Sequence, residues 1–237
     1  MYIGMQNSFI SYCNRLINAW SEVAVTLGLK RRRQPVTSPI ELRRFVEQRA
    51  KYIAQTTLYG YLKTRAGTRY TSLFEDKVFV QSINISKWEI YLACVSDLAV
   101  FSVAHLGRTA NASPTDLTAI AIHLATGIFE EEDEITDQQR GSFAKAKEAF
   151  EIRARGTDWA DVDESESAFT RSPAALLEWA PIAPQLKEFD TEIVINSMRF
   201  KWKHVRDELK SEMQGPEVLA AWRPQSSDAP GSDQLRD

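Results

Sequence analysis

The sequence predicts an all-α protein: a single-domain bundle of about six or seven helices around a buried central helix, residues 86–106. Three observations support this fold class. Apolar residues recur at three- and four-residue steps along most of the 237 residues, which is the period of a helix buried on one face. Serine N-caps precede these stretches and glycines follow them, in the alternating order of helix starts and stops. No run of useful length alternates apolar and polar residues as a strand does.

Two amphipathic helices are expected in the first third of the chain. The first runs from about Ser8 to Leu27, and a basic connector follows it. The second begins at Ser38-Pro39, because serine is a good N-cap and proline fits the first helical turn, where its missing N–H has no partner anyway. Glu41 stands at capping-box spacing from Ser38, and the apolar pattern continues to about Ala66.

The central helix follows a capping pair at Ser72 and Glu75. One helix from Ser72 to Leu106 would be about 52 Å long at ~1.5 Å per residue, whereas a globule of this size is about 45 Å across. A break is therefore expected near Asn84–Ser86, where a second cap lies. The part from Ser86 to Leu106 is apolar on most of its circumference, which indicates a helix surrounded by others.

Helical patterns continue through the rest of the chain. Gly215-Pro216 is expected to end the last long helix, and the Ser, Asp, Pro and Gly content from Pro224 onward indicates disorder. The predicted organisation is one helical domain, 1–223, and a disordered tail, 224–237. The expected segments are 113–129, 136–155, a short helix after Ser172, and 185–213, with acidic stretches at 130–134 and 157–170 between them.

A cytoplasmic, soluble protein is the expectation. The best candidate for a membrane span, Trp88 to Leu106, contains Glu89 and Asp97, and each costs roughly 2.5–3.5 kcal/mol near a bilayer centre. The first 14 residues carry no Lys or Arg, and no A-x-A cleavage site follows them, so no signal peptide is predicted. Cys13 and Cys94 each lie among apolar residues and are expected to be buried thiols, although a disulfide between them stays open.

Charge is divided unevenly along the chain. Residues 1–72 hold 12 Lys and Arg but 3 Asp and Glu, whereas residues 73–237 hold 17 Lys and Arg and 29 Asp and Glu. Such a division indicates either that the two parts pair with each other or that one face is kept for an anionic partner.

The strongest candidate site lies at the end of the second predicted helix. Lys63, Arg65 and Arg69 are placed there, and Tyr70 lies beside them. Cations next to the free N–H groups of a helix that begins at Ser72 form an anion site, and tyrosine rings stack on bases or other rings. The structural alternative is that Arg65 and Arg69 pair with acidic segments and fix the fold.

A second basic cluster consists of Arg31, Arg32 and Arg33 beside Lys30. It suits an anionic partner or an anionic membrane surface, and the alternative is an exposed loop between helices. Nucleic acid is not expected as the partner, because the acidic remainder of the chain repels phosphates and no zinc-finger or RNA-recognition signature is present.

The sequence contains no G-x-G pair, G-x-S-x-G elbow, Glu-x-x-His or paired-cysteine motif, and no cofactor or metal is predicted. The enzymatic alternative is a hydrolase or lyase with a diffuse site around His105, His123 and the acidic run 130–134. Asp116, His123 and Glu130 lie at seven-residue steps on one predicted helix face, where a carboxylate and an imidazole suit acid–base chemistry. Seven residues rise about 10 Å, so these side chains cannot share one metal without another helix.

The sequence favours a non-catalytic helical adaptor or regulatory protein whose basic N-terminal third binds an anionic protein, ligand or surface. Peripheral attachment to a membrane surface is a further alternative, because the first helix is amphipathic and precedes a basic cluster. The helix 193–213 is a candidate oligomer face if its apolar stripe is not part of the core. That stripe consists of Ile195, Met198, Trp202, Val205, Leu209 and Met213.

Overall fold

The computed structural model describes residues 35–130, 137–163 and 167–227 and confirms the all-α class. The expected helix 8–27, the arginines at 31–33 and the tail beyond Ser227 lie outside the described residues. Eight α-helices lie within these ranges, and the one β-type pairing in them is an isolated bridge between Val36 and Met213. The helices are α1 (Pro39–Ala66), α2 (Lys77–Ala110), α3 (Pro114–Glu130), α4 (Asp137–Arg155), α5 (Arg171–Trp179), α6 (Pro184–Lys187), α7 (Thr191–Glu212) and α8 (Gly215–Ser227).

The central helix of the bundle is α2, as the sequence predicts. It packs against α1, α3, α4, α5 and α8. Every residue from Cys94 to Leu106 is buried, so this part of α2 has protein on all sides. α2 is the one helix in the described part of the chain that is long and apolar enough to cross a membrane, and most of that stretch is buried inside the protein.

The break expected near Asn84–Ser86 is wrong, because α2 continues unbroken for 34 residues. It begins at Lys77 rather than Ser72, and the Asp76 side chain accepts hydrogen bonds from the N–H groups of Val78 and Phe79. The size argument fails because α2 extends to the surface of the bundle at its N-terminal end, where Lys77 and Val78 are exposed.

Ser86 does not cap a helix but lies inside one. Its hydroxyl donates to the Ser82 carbonyl one turn earlier, at 2.7 Å, and also contacts the carbonyl of Trp179 at the end of α5. A serine with capping-box spacing is therefore used here to join two helices.

The predicted helix 185–213 is divided, because the chain turns between α6 and α7. The turn closes with a hydrogen bond from Asp190 N–H to the Lys187 carbonyl, at 2.9 Å. Val36 then pairs with the chain after α7, with its N–H donating to the Glu212 carbonyl at 2.9 Å.

α7 ends at Glu212, before the stop expected at Gly215-Pro216, and Gly215 begins α8. Proline fits the first turn of this new helix. Gly215 lies so close to α2 that a Cβ atom there would be 2.2 Å from the Thr109 hydroxyl oxygen. The first residues of the predicted tail, 224–227, continue α8.

Candidate functional site

The C-terminal end of α1 carries the candidate binding residues of the sequence. Gly67 ends α1 at a positive φ of 53°, and its N–H donates to the Lys63 carbonyl. The short 3-10 turn Gly67–Arg69 follows. The side chains of Lys63 and Arg69 are exposed, and neither has a carboxylate partner in the part of the chain that the structure describes.

Arg65 differs from these two cations because a carboxylate of the same chain holds it. Its guanidinium forms a two-point ion pair with Asp190, with Nε donating at 2.6 Å. Asp190 also accepts from the Tyr61 hydroxyl, and its side chain is only 1% exposed. Burial raises the pKa of Tyr61 although Arg65 acts in the opposite direction. Arg65 therefore fixes the start of α7 against α1, which is the structural alternative from the sequence.

Tyr70 belongs to an aromatic cluster rather than standing free. Its ring meets the edge of Phe74 at a centroid distance of 5.2 Å, and Phe74 contacts Tyr59 at 6.5 Å and Phe79 at 6.1 Å. Half-burial in this cluster raises the pKa of Tyr70. The rings attach the turn after α1 to the beginning of α2, so Tyr70 offers a partner only part of its surface.

The expected helix N-terminus at Ser72 does not contribute to an anion site. Residues Ser72–Glu75 form a 3-10 turn, and α2 begins after it. The carboxylate of Asp76 already accepts from the first N–H groups of α2, at 2.8 Å for Val78. A bound anion would meet this carboxylate, so the cations Lys63 and Arg69 are what remains of the predicted anion site.

Several exposed apolar side chains lie in α7 and the segment before it, and they were not predicted. Phe189 is 83% exposed, and it immediately precedes Asp190, whose pair with Arg65 brings it to the end of α1. The same stretch of chain contains Leu186, Ile193 and Phe200, all more than half exposed. A contiguous exposed apolar patch marks an interaction site, whereas a single exposed apolar residue is ordinary.

The sequence held a signal for these residues, because Ile193 and Phe200 are out of phase with the apolar stripe of α7. Within that stripe Met198, Trp202 and Leu209 are almost completely buried in the core. Ile193 and Phe200 lie on the opposite, otherwise polar face of α7, so packing in the core does not explain why these two residues are apolar.

The alternative catalytic residues are held apart by separate contacts. Asp116 accepts from the Ser113 hydroxyl at the start of α3, at 2.9 Å, while Glu130 pairs with Lys147 of α4. The exposed His123 lies 5.2 Å from the Trp222 ring. His105 is buried and stacks on Phe101. No group of three or more metal-ligating side chains occurs within the described ranges, and residues 131–134 of the acidic run lie outside them.

The most buried polar cluster lies between α2, α4 and α5. Asp97 is completely buried and accepts hydrogen bonds from Arg153 Nη1 at 2.9 Å and from the Ser172 N–H at 2.7 Å. Ser172 in turn accepts from Trp202 Nε1 at 3.0 Å. Burial raises the pKa of Asp97 against the opposing charge of Arg153. Solvent does not reach Asp97, and its hydrogen bonds join α2, α4 and α5.

A small cavity of about 250 Å³ lies beside this cluster. Arg153, Asp158, Asp161 and Ser167 supply polar groups to its wall. Arg153 uses its Nη atoms on Asp97, Ser96 and the Ala168 carbonyl. The cavity therefore presents mainly acidic and hydroxyl groups to solvent.

Comparisons with protein-family models, with curated proteins and with solved structures found no match for this chain. The function is therefore inferred from the residues and their geometry.

Proposed function

We propose that this protein is a non-catalytic helical adaptor or regulatory protein that binds an anionic protein partner at one end of its bundle. The binding surface, here called the α1 end, consists of Lys63, Arg69, Tyr70 and Phe189. The observation that carries the proposal is that the C-terminal end of α1 carries two exposed cations without carboxylate partners among the described residues, and that the Arg65–Asp190 pair brings a phenylalanine that is 83% exposed to the same end of the helix.

Three other cations of α1 are paired with carboxylates of the same chain, unlike Lys63 in α1 and Arg69 in the turn after it. Arg49 pairs with Glu208, with Nε donating at 2.6 Å, and Lys51 pairs with Glu47 at 2.9 Å. Arg65 pairs with Asp190. Internal pairing therefore accounts for part of the basic N-terminal third, Arg65 at the end of α1 included, but among the described residues it leaves Lys63 and Arg69 available to another molecule.

Phe189 indicates what kind of anion the surface suits. A free inorganic anion gains nothing from an exposed phenyl ring, whereas a protein segment with acidic and apolar side chains gains both ion pairing and burial. Full burial of a phenylalanine side chain contributes roughly 1.5–3 kcal/mol, and an exposed ion pair contributes about 0.2–1 kcal/mol. The apolar contact thus supplies affinity, and the cations supply orientation and preference for acidic partners.

The test uses a synthetic peptide of alternating Glu and Leu residues, carrying a fluorescent label, and measures its anisotropy with the full chain at low and high salt. We expect binding that weakens with salt, because exposed charges are screened. The double variant Lys63→Glu/Arg69→Glu and the single variant Phe189→Asp are each expected to bind at least about tenfold more weakly.

Arg44→Glu is the matched control, because Arg44 is also an exposed cation of α1 but lies far from its C-terminal end. It is expected to bind the peptide nearly as the unchanged chain does. Equal loss in Arg44→Glu and in Lys63→Glu/Arg69→Glu would contradict the proposal. So would flotation with anionic lipid vesicles together with no peptide binding, since that result would assign the surface to a membrane.

A further inference from the structure

The outward face of α7 has an apolar centre that the described part of the chain does not cover. Ile193 is 63% exposed and Phe200 is 66% exposed. They stand seven residues apart, which is about two helical turns, and so share a face. The opposite face of α7 packs into the core of its own chain, so it is not available as the oligomer face considered in the sequence.

We propose that a second copy of this chain covers this surface, in a symmetric antiparallel pairing of α7 with α7 centred near Asn196. The surface, here called the α7 outer face, consists of Glu192, Ile193, Phe200 and Lys203. This inference is independent of the proposed function, which uses the α1 end.

A two-fold axis can cover both apolar residues at once. It would pass between Asn196 and Ser197, midway between Ile193 and Phe200. In a symmetric contact, residue i meets residue j and residue j meets residue i. An antiparallel pairing about this midpoint therefore places Ile193 of each copy against Phe200 of the other, and both apolar residues are covered at once.

The charges on one flank of this face are complementary in the same pairing. Glu192 and Lys203 lie on the same side of α7, because their positions differ by eleven residues, which is close to three full turns. Both are exposed, and neither has an ion-pair partner within the described residues. A two-fold axis perpendicular to two antiparallel helices places the same side of α7 in both copies next to each other. Glu192 of each copy therefore approaches Lys203 of the other.

The area available predicts a weak, reversible dimer. A large apolar side chain has roughly 150–250 Å² to bury, so the exposed parts of Ile193 and Phe200 supply about 250 Å² per copy. Standard interfaces bury about 800 Å² per partner, and weak transient ones bury less. With the polar residues around them included, we expect association at micromolar concentrations.

Sedimentation velocity of the full chain, from about 1 to about 100 μM, tests this proposal. The sedimenting species should shift toward twice the chain mass as concentration rises. Phe200→Asp should weaken association at least about tenfold, because a charge would be buried at the centre of the contact. Ile152→Asp is the matched control: Ile152 is 67% exposed on α4, and its substitution should leave association unchanged.

Charge reversal tests the pairing itself. Glu192→Lys and Lys203→Glu should each weaken self-association by roughly fivefold, since symmetry repeats the pair twice. A mixture of these two variants should associate at least as well as the unchanged chain, because each copy then meets the opposite charge on the other.

Three results would overturn the proposal. One is a monomer over the whole concentration range. Another is the same association constant for Phe200→Asp and Ile152→Asp, and the third is a mixture that associates no better than its components. Lys63→Glu/Arg69→Glu should leave dimerisation intact, which separates this inference from the proposed function.

Discussion

Replacement of Asp97 by alanine tests the polar cluster that joins three helices. The Asp97 carboxylate accepts from Arg153 Nη1 at 2.9 Å, from Ser172 N–H at 2.7 Å and from Arg171 N–H at 3.3 Å. The last two groups belong to the first turn of α5, and Thr170 provides no side-chain cap there. Asp97 of α2 therefore caps α5 from across the core as well as pairing with Arg153.

The expected loss of stability is about 3–5 kcal/mol, which is typical of removing one partner of a buried ion pair. Loss of a helix cap alone accounts for roughly 1 kcal/mol of it. The lower half of this range is favoured, because Arg153 keeps its hydrogen bonds to the Ser96 hydroxyl and the Ala168 carbonyl, both at 2.8 Å. Since domains are stable by about 5–15 kcal/mol, the variant should still fold.

Asp97→Asn distinguishes the contribution of the hydrogen bonds to stability from that of the charge. The pKa of Asp97 is raised from its ordinary value of 3.8, first of all by burial, so desolvation of the carboxylate outweighs the attraction of Arg153. An amide keeps an acceptor for Ser172 N–H without a buried charge. We therefore expect Asp97→Asn to cost at most about 1.5 kcal/mol, well below the alanine variant.

The same pKa gives the sign of the pH dependence. Between the ordinary and the raised pKa, folded Asp97 binds a proton that the unfolded chain has released. The stability due to this proton is fully present below the ordinary pKa and is lost as pH rises through the folded pKa. Asp97→Asn lacks this titration. The stability of the unchanged chain relative to Asp97→Asn should therefore be greatest in acid and decrease toward neutral pH.

Urea denaturation followed by far-UV circular dichroism, at about pH 4 and about pH 7, measures these differences. Equal losses for Asp97→Asn and Asp97→Ala at neutral pH would refute the reasoning, because the charge itself would then be needed. A loss below about 1 kcal/mol for Asp97→Ala would refute the assigned roles of Asp97 in pairing and capping.

Two further predictions concern helix contacts and caps. Gly215→Ala should destabilise the protein by roughly 1–3 kcal/mol, because the new Cβ would collide with Thr109. Gly141→Ala lies in open space on α4 and should stabilise the protein by about 0.5–1 kcal/mol. Thermal melts should therefore show Tm shifts of opposite sign for the two variants, and shifts of the same sign would contradict this prediction. The pKa of Glu41 is lowered mainly by the hydrogen bond from Thr37 N–H, so its contribution is present above 4.5 and is lost as pH falls through the lowered folded value. Glu41→Gln should therefore cost about 0.5–1 kcal/mol near pH 7 and almost nothing near pH 2, and an equal cost at both values in urea melts would count against this role.

Local helix chemistry could be predicted from the sequence where the cap and its helix are neighbours. The Ser38 hydroxyl accepts from Glu41 N–H at 3.3 Å at the start of α1, and the Ser113 hydroxyl accepts from Asp116 N–H at 3.1 Å at the start of α3. Gly67 ends α1 as its position in the pattern indicates. These interactions span three or four residues, so the sequence contains both participants.

The same reasoning failed where the participant lies far away along the chain. Ser172 precedes Pro173 and was expected to begin a helix, yet its hydroxyl accepts from Trp202, and α5 is capped by Asp97, which is 75 residues before Ser172. Ser86 likewise binds a carbonyl 93 residues away. A local pattern specifies which residue types can cap, but tertiary packing decides which one does.

The charge division of the sequence is explained in part by how α1 packs against α7. Arg49 pairs with Glu208 toward one end of the two helices, and Arg65 pairs with Asp190 at the other. Because the partners occur in reverse order along the chain, these pairs fix α7 antiparallel to α1. Counts of charged residues could not distinguish these paired arginines from Lys63. Only the positions of the carboxylates in the fold show that none of the described ones pairs with Lys63.

This packing also explains why the residues of both proposed surfaces are exposed. α7 turns its apolar stripe inward and is held by ion pairs at two places along its length, so Ile193 and Phe200 are left on the outside, remote from the core. The turn before α7, held by Asp190, places Phe189 at the end of α1, where Lys63 and Arg69 have no internal partner in the described part of the chain. One set of contacts that stabilises the fold thus leaves an apolar helix face and a cationic helix end exposed to other molecules.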